Sequence, residues 1–345
     1  TANFVLITAI GAVGLNIVTG FAGQISLGQS FFMAAGAYSA AVIGIDHGMN
    51  GLIWIPAAGL IAAATGAIIG PSALRLRGFY LAIVTIALVL IGQYILSNNP
   101  LTLSGGEEGR AFPPVSLGPL NFGTSPPNTL GPITLSSDRL YFWFSLALLA
   151  LSLAYTANLR QTRLGRAMLA LRERELAAAV MGIDVARTKV AAFTISSFFA
   201  GISGVLYASY ITYTQPTTWN LNLSIQFVAA LIVGGIGTVY GPVLGAAVVF
   251  ALPNIIQNLP FVGQGGRVSP GDISSIAYGV LIMAFLVTEP RGLAGLGDRI
   301  TSLARFRRSP AATETPIIAT ETPIATEDRS KVPASSINPL EEGHQ

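Results

Sequence analysis

The chain has 345 residues, of which 52% are hydrophobic and only 10% charged, with a mean hydropathy of +0.62; that balance cannot cover an ordinary soluble surface. There is no cysteine, and His47 and His344 are the only imidazoles, which excludes disulfides and thiolate metal sites. The net charge of +3 and the pI near 9.3 come mostly from arginines between apolar runs, which marks membrane topology and not nucleic-acid affinity.

Continuous apolar runs long enough to cross a ~30 Å hydrocarbon core as helix recur along the chain. They predict an all-α polytopic bundle of about nine spans, some broken or short, near 2–20, 27–45, 52–71, 79–97, 139–157, 190–210, 225–240, 241–258 and 272–289. The runs do not alternate as barrel strands do. The first span enters from the outside without a basic leader or an initiator Met, which suggests that further sequence precedes it.

Between the first two spans lies a polar, glycine-punctuated stretch, NIVTGFAGQISLGQSFFMAAGAYSA. Its polar groups are Gln24, Ser26, Gln29 and Ser30, all amide or hydroxyl. They suit hydrogen bonding to a neutral or zwitterionic solute in a pore, and equally a structural inner turn.

The segment 98–138, SGGEEGRAFPPVSLGP followed by FGTSPPNTLGP within it, is longer than ordinary connectors and reads as an outer loop, either partner-binding or a tolerated insertion. The loop at about 158–189 carries Arg160, Arg163, Arg166, Arg172, Arg174, Arg187 and Lys189 against Glu173, Glu175 and Asp184, so it belongs inside. With it inside, Arg75, Arg77 and Arg291 through Arg308 also fall inside, and only Arg110, Arg139 and Arg267 fall outside. Leu164, Met168 and Leu171 share one helical face, with Arg163, Arg166 and Arg174 on another. Gly182 offers a helix stop and Asp184 an N-cap for the next span. Such a loop is either a solvated, lipid-facing surface or a docking element.

Further on, Gly234, Gly235, Gly237, Gly241 and Gly245 combine a Gly-Gly-x-Gly with a double G-x-x-x-G. This predicts a broken helix or hairpin at depth, or plain close packing of two helices. The tail from Ser309, with ATETPI at Ala312–Ile317 and again at Ala319–Ile324, reads as a disordered cytoplasmic segment. The domain division is therefore a permease domain at 1–300 and a tail at 301–345.

All sixteen carboxylates fall in loops, span ends or the tail, which disfavours a proton-coupled carrier. Neither lysine, Lys189 or Lys331, sits in a nucleotide-binding P-loop. No catalytic, cofactor or metal site is expected. If ATP powers the protein, another subunit binds it.

Four blocks resemble one family in order: GLNIVTGFAGQISLGQSFFMAAGAY, LRERELAAAVMGIDVARTKVAAFTISSFFAGISGVLYA, ALIVGGIGTVYGPVLGAA and EPRGLAGL. They are similar to the Liv-type permeases, the membrane subunits of bacterial ABC importers for branched-chain amino acids, from about Leu15 to Leu296. The resemblance implies an inner-membrane, multi-pass pore built with a second related permease, two cytoplasmic ATPases and an extracytoplasmic solute-binding protein. It also implies a coupling role for Arg172, Glu173, Arg174, Glu175, Gly182 and Asp184. The loop ELAAAVMG is one residue longer than the common E-A-A-x-x-x-G, Gln29 stands where many relatives have His, and LTLSGGEEGR matches the family pattern loosely. Urea permeases share these blocks, so a urea-like cargo is one alternative. A gradient-driven carrier or channel for a neutral solute is another, and a purely structural membrane subunit a third.

Overall fold

The computed structural model describes residues 2–46, 51–71, 79–98, 105–112, 116–117, 120–121, 128–130, 133–135, 137–257, 276, 279–280, 283 and 292–295. Ten helices lie within them. The first, α1 (Ala2–Leu15), continues as a π-helical turn, Asn16–Phe21. It is followed by α2 (Gln29–Ala41), α3 (Gly51–Ile69), α4 (Phe79–Asn98) and α5 (Ser137–Gln161). Two short helices, α6 (Arg163–Glu173) and α7 (Glu175–Val180), lead into α8 (Val185–Ile211), and α9 (Leu221–Gly234) and α10 (Gly241–Gln257) form a hairpin.

Four of the described helices are long and apolar enough to cross a membrane unaided: α1 with its π turn, α4, α5 and α8. Their burial separates them. α1 and α8 are mostly enclosed by protein, whereas α4 and α5 are mostly exposed, so α1 and α8 form the centre and α4 and α5 present side chains such as Tyr80, Leu90, Trp143 and Leu151 outward. Because lipid provides no hydrophobic drive between helices, close backbone approach must hold this centre. A Cβ on Gly14 would lie 2.7 Å from Phe199 Cβ on α8, and one on Gly11 would lie 2.8 Å from Ser203 Oγ. Hydrogen bonds add direction: Ser203 donates to Ile7 O at 2.8 Å, and Tyr141 on α5 donates to Leu206 O at 2.6 Å.

At the C-terminal end of α8, strand β1 (Arg110–Ala111) pairs antiparallel with β6 (Tyr213–Thr214), the pairs being Arg110 with Thr214 and Ala111 with Tyr213. Phe112 follows with its ring 5.6 Å from that of Trp54. Trp219 donates to Thr214 Oγ1 at 3.0 Å. Two further antiparallel pairs, β2 (Ser116–Leu117) with β3 (Leu120–Asn121) and β4 (Asn128–Leu130) with β5 (Ile133–Leu135), are the other described strands of the segment 98–138.

Eight of the expected spans correspond to helices, and two of them depart from expectation in ways that shape the site. The span placed at 225–240 ends at Gly234, because Gly235 and Gly237 adopt φ of 112° and 83° and break the ladder. The span placed at 27–45 starts deeper than a surface turn would allow. Gln29 donates from Nε2 to Gly11 O at 2.9 Å, and Gly11 lies about 15 Å back along α1 from Phe21 at 1.5 Å per residue. Residues 22–28 therefore climb back into the bundle as non-helical chain, and α2 begins level with Gly11 of α1. The expected span 272–289, apart from helical positions 276, 279–280 and 283, lies outside the described residues. So do Arg75, Arg77, much of 98–138 and the whole tail 301–345.

Candidate functional site

Helix α6 starts where Thr162 Oγ1 accepts from Gly165 N at 3.1 Å, an N-cap that satisfies one orphan donor. Its apolar stripe turns inward as the periodicity predicts: Met168 and Leu171 are buried, while Arg163, Arg166 and Arg174 are exposed. Arg174 adopts an extended conformation, φ −154° and ψ 109°, and separates α6 from α7. The chain leaves α7 through Gly182 at φ 83° and re-enters helix at Asp184, whose carboxylate accepts from Arg187 N at 3.0 Å. Both boundary residues act as their types suggest.

The six loop residues divide by contact. Glu173, Arg174 and Gly182 are exposed. Asp184 pairs with Arg187 at 3.1 Å on the open surface. Glu175 Oε1 lies 2.9 Å from Lys189 Nζ, with the lysine side chain only 6% exposed. Arg172 reaches furthest, donating from Nη1 to Gly20 O at 2.6 Å. On the far side of α7, Leu176, Val180 and Met181 stand 71%, 88% and 83% exposed, an apolar patch amid charged neighbours.

The second group lies where α1, the climbing segment and the glycine hairpin meet. Burial alternates along the segment: Gln24, Ser26 and Gly28 are buried, and Gly23 and Ile25 are exposed. Leu27 N is satisfied by Thr85 Oγ1 at 2.9 Å and Gly28 N by Ser26 Oγ at 3.3 Å, as a non-helical chain at depth requires. Ser30 Oγ lies 2.7 Å from Ser224 Oγ, and Ser224 also accepts from Ser30 N at 3.0 Å. Ser26, Gln29 and Ser30 thus serve the fold. Gln24 differs, because its buried carboxamide has no hydrogen-bond partner at either atom.

The glycine block is a hairpin and not one helical stripe. Gly241 and Gly245 lie on α10 and pack on α9: a Cβ on Gly241 would sit 2.7 Å from Gly234 O, and one on Gly245 would collide with Ala230 O. Gly237 lies outside both helices, in the turn 235–240, so the expected Gly237–Gly241 G-x-x-x-G is replaced by a break. That turn rests on the π turn of α1. Asn16 donates from Nδ2 to Thr238 O at 2.7 Å and accepts at Oδ1 from Gly237 N at 2.8 Å.

Asn16 was not singled out from the sequence, and Lys189 was counted there only among the basic residues of the loop. Asn16 leaves a trace as an amide inside an apolar run. Among the described residues no cluster of three or more His, Cys, Asp or Glu side chains could hold a metal. A cavity of about 580 Å³ lies between α3, α5 and α8. Its walls, including Ile55, Leu60, Phe144, Leu151 and Phe198, are apolar apart from Ser152, Tyr155 and Thr194, so they offer little to orient a zwitterion.

Residues 1–286 match the family model described as branched-chain amino acid transport system, permease component. The chain is 33% identical over 303 residues to the high-affinity branched-chain amino acid transport system permease protein LivM of Salmonella typhimurium, covering 85% of this chain and 68% of that protein. It is 28% identical over 301 residues to LivH of the same organism, covering 83% and 91%. It is 27% identical over 259 residues to the ribose import permease protein RbsC of Escherichia coli, covering 72% and 74%. No solved structure matches the chain.

Proposed function

We propose, from the premise that the chain belongs to the branched-chain amino acid transport system permease family, that it lines half of a pore for branched-chain amino acids and takes its driving force through the loop α6–α7. It is a multi-pass, inner-membrane permease subunit of an ABC importer, working with a second permease and with ATPase subunits. In this reading two cytoplasmic ATPases seat on the loop, and an extracytoplasmic binding protein delivers the solute to the outer face near 98–138. Nucleotide chemistry resides on those partners. The permease domain occupies 1–300, and the tail 301–345 takes no part in transport.

The observation that carries the docking role is the contrast across one short loop. Met168, Leu171 and Ala178 are buried against the bundle, yet Leu176, Val180 and Met181 are left almost bare among Arg174, Glu175 and Asp184. Apolar side chains rimmed by charge at a protein surface mark an interaction site. The inner-side charge bias puts that patch where ATPases would meet it. Glu173, Arg174, Gly182 and Asp184 form its rim, and Arg172 and Glu175 tie it to the bundle.

Co-reconstitution tests the whole reading. Proteoliposomes holding this chain alone should neither hydrolyse ATP nor accumulate solute, and vanadate-sensitive uptake of leucine, isoleucine or valine should appear when the second permease, the ATPases and the binding protein are added. Uptake by the chain alone under an ion gradient would replace the importer with a carrier. Competition by urea but not by leucine would change the cargo. Single cysteines at Leu176 or Val180 should crosslink to the ATPases.

A further inference from the structure

Four segments converge at the inner end of the bundle, and two side chains join them. The π turn Asn16–Phe21 widens the end of α1; such bulges recur at functional sites because they displace backbone groups from the regular ladder. Here Gly20 O accepts from Arg172, the penultimate residue of α6. The stem of Arg172 also covers the climbing segment, since a Cβ on Gly23 would lie 3.0 Å from its Cα and 3.1 Å from its Cγ. Its guanidinium lies over Gly237, where any Cβ would collide with Nη1. Asn16 is fully buried and uses its donor and its acceptor on consecutive residues of the turn between α9 and α10. Gly20 can be no larger, because a Cβ there would collide with Asn16 Oδ1 and sit 2.7 Å from Gly237 N.

This arrangement spans 221 to 222 residues of sequence through one carboxamide. The turn it holds consists of Gly235, Ile236, Gly237 and Thr238, with both glycines at positive φ, so the backbone there can change conformation at low cost. A side-chain bond to a glycine turn can be made or released without unfolding a helix, and Arg172 connects this bond to the loop α6–α7.

We propose that Asn16 is a positioning residue of the transport cycle: its carboxamide latches the Gly237–Thr238 turn to the π end of α1, and displacement of α6 through Arg172 releases it to open the inner end of the pore. The proposal rests on the docking reading given above.

Hydrogen exchange on the intact wild-type complex tests it without a variant. Residues 16–21 and 235–240 should lose protection together when ATP and vanadate trap the ATPases. Unchanged protection in a trapped, transport-competent complex would overturn the latch. Asn16→Leu supplies the second arm, because it keeps the bulk of the side chain and removes both the acceptor for Gly237 N and the donor to Thr238 O without burying a charge. The variant complex should co-purify intact and hydrolyse ATP, with uptake per ATP lowered about tenfold or more, the scale of a lost buried hydrogen bond. Normal uptake per ATP in that variant would also overturn it, whereas a merely structural role would lower assembly and leave the ratio alone. Loop cysteines that crosslink to the ATPases while the latch arms fail would sink the latch alone. Loop cysteines that never reach the ATPases would remove the docking reading and the latch with it.

Discussion

Lys189 Nζ lies 2.9 Å from Glu175 Oε1, joining the first residue of α7 to the foot of α8. The lysine is almost wholly buried and the glutamate keeps 30% of its side-chain exposure. That asymmetry decides what each substitution does. Glu175→Gln leaves a buried ammonium without its counter-charge, while Lys189→Met removes the charge and leaves a carboxylate that water still reaches.

The first expectation follows directly. Glu175→Gln should destabilise the subunit by about 1–3 kcal/mol, the range for a buried polar group stripped of its partner, and Lys189→Met should cost less. Thermal unfolding of the complex in nanodiscs measures both. Equal losses from the two substitutions would mean that the ion pair contributes nothing beyond packing.

Arg172 and Arg174 carry the same charge two residues apart, yet only Arg172 is seen to reach the bundle, at Gly20 O. Arg172→Gln should therefore lower uptake per ATP hydrolysed several-fold, while Arg174→Gln, an exposed rim charge of the kind worth about 0–1 kcal/mol, should change it little. Leu171→Pro is harsher than either, since an interior proline costs a helix about 3 kcal/mol or more while leaving the spans intact. ATPase and uptake rates measured on the same proteoliposomes separate these effects. Identical coupling ratios for the two Arg variants would contradict the role given to Arg172.

Packing of the hairpin gives a third test. Gly241→Leu must displace the Gly234 backbone, whereas Ala150→Leu places the same side chain at an exposed position on α5. Overpacking costs about 1–3 kcal/mol, so the first variant should assemble poorly or fail to transport, and the second should behave as wild type. Co-purification with the second permease reads the difference. Normal assembly and transport by Gly241→Leu would show that α9 and α10 do not pack closely in the working protein.

The exposed patch gives a fourth. Val180→Asp alters a side chain that is 88% exposed, so the thermal midpoint of the isolated subunit should hardly move while affinity for the ATPases falls. Pull-down of the ATPases and unfolding of the subunit are to be measured side by side. Retained ATPase binding would move the docking site elsewhere.

What the sequence by itself determined is local. Twenty-residue apolar runs specify helices because the bilayer requires every backbone group to be satisfied within the segment. Arginine bias fixes sidedness, and Asp184 and Gly182 mark their helix ends because capping involves only a few neighbouring residues. The family blocks are likewise read along the chain. Where the polar stretch after α1 goes was not legible: its alternation is visible, but only the bond from Gln29 to Gly11 and that from Leu27 to Thr85 place it inside the bundle. Gly237 illustrates the same limit, since its four-residue spacing from Gly241 matches a helix stripe that the chain breaks in order to rest on Asn16. Arg172 is marked in the sequence as one of six coupling residues by the family block, but nothing there tells it from Arg174 or pairs it with Gly20, 152 residues away. Tertiary structure alone decided these pairings, because hydrogen bonds between distant segments depend on how the helices pack, and neither periodicity nor charge pattern along the chain encodes which two residues that packing brings within 3 Å.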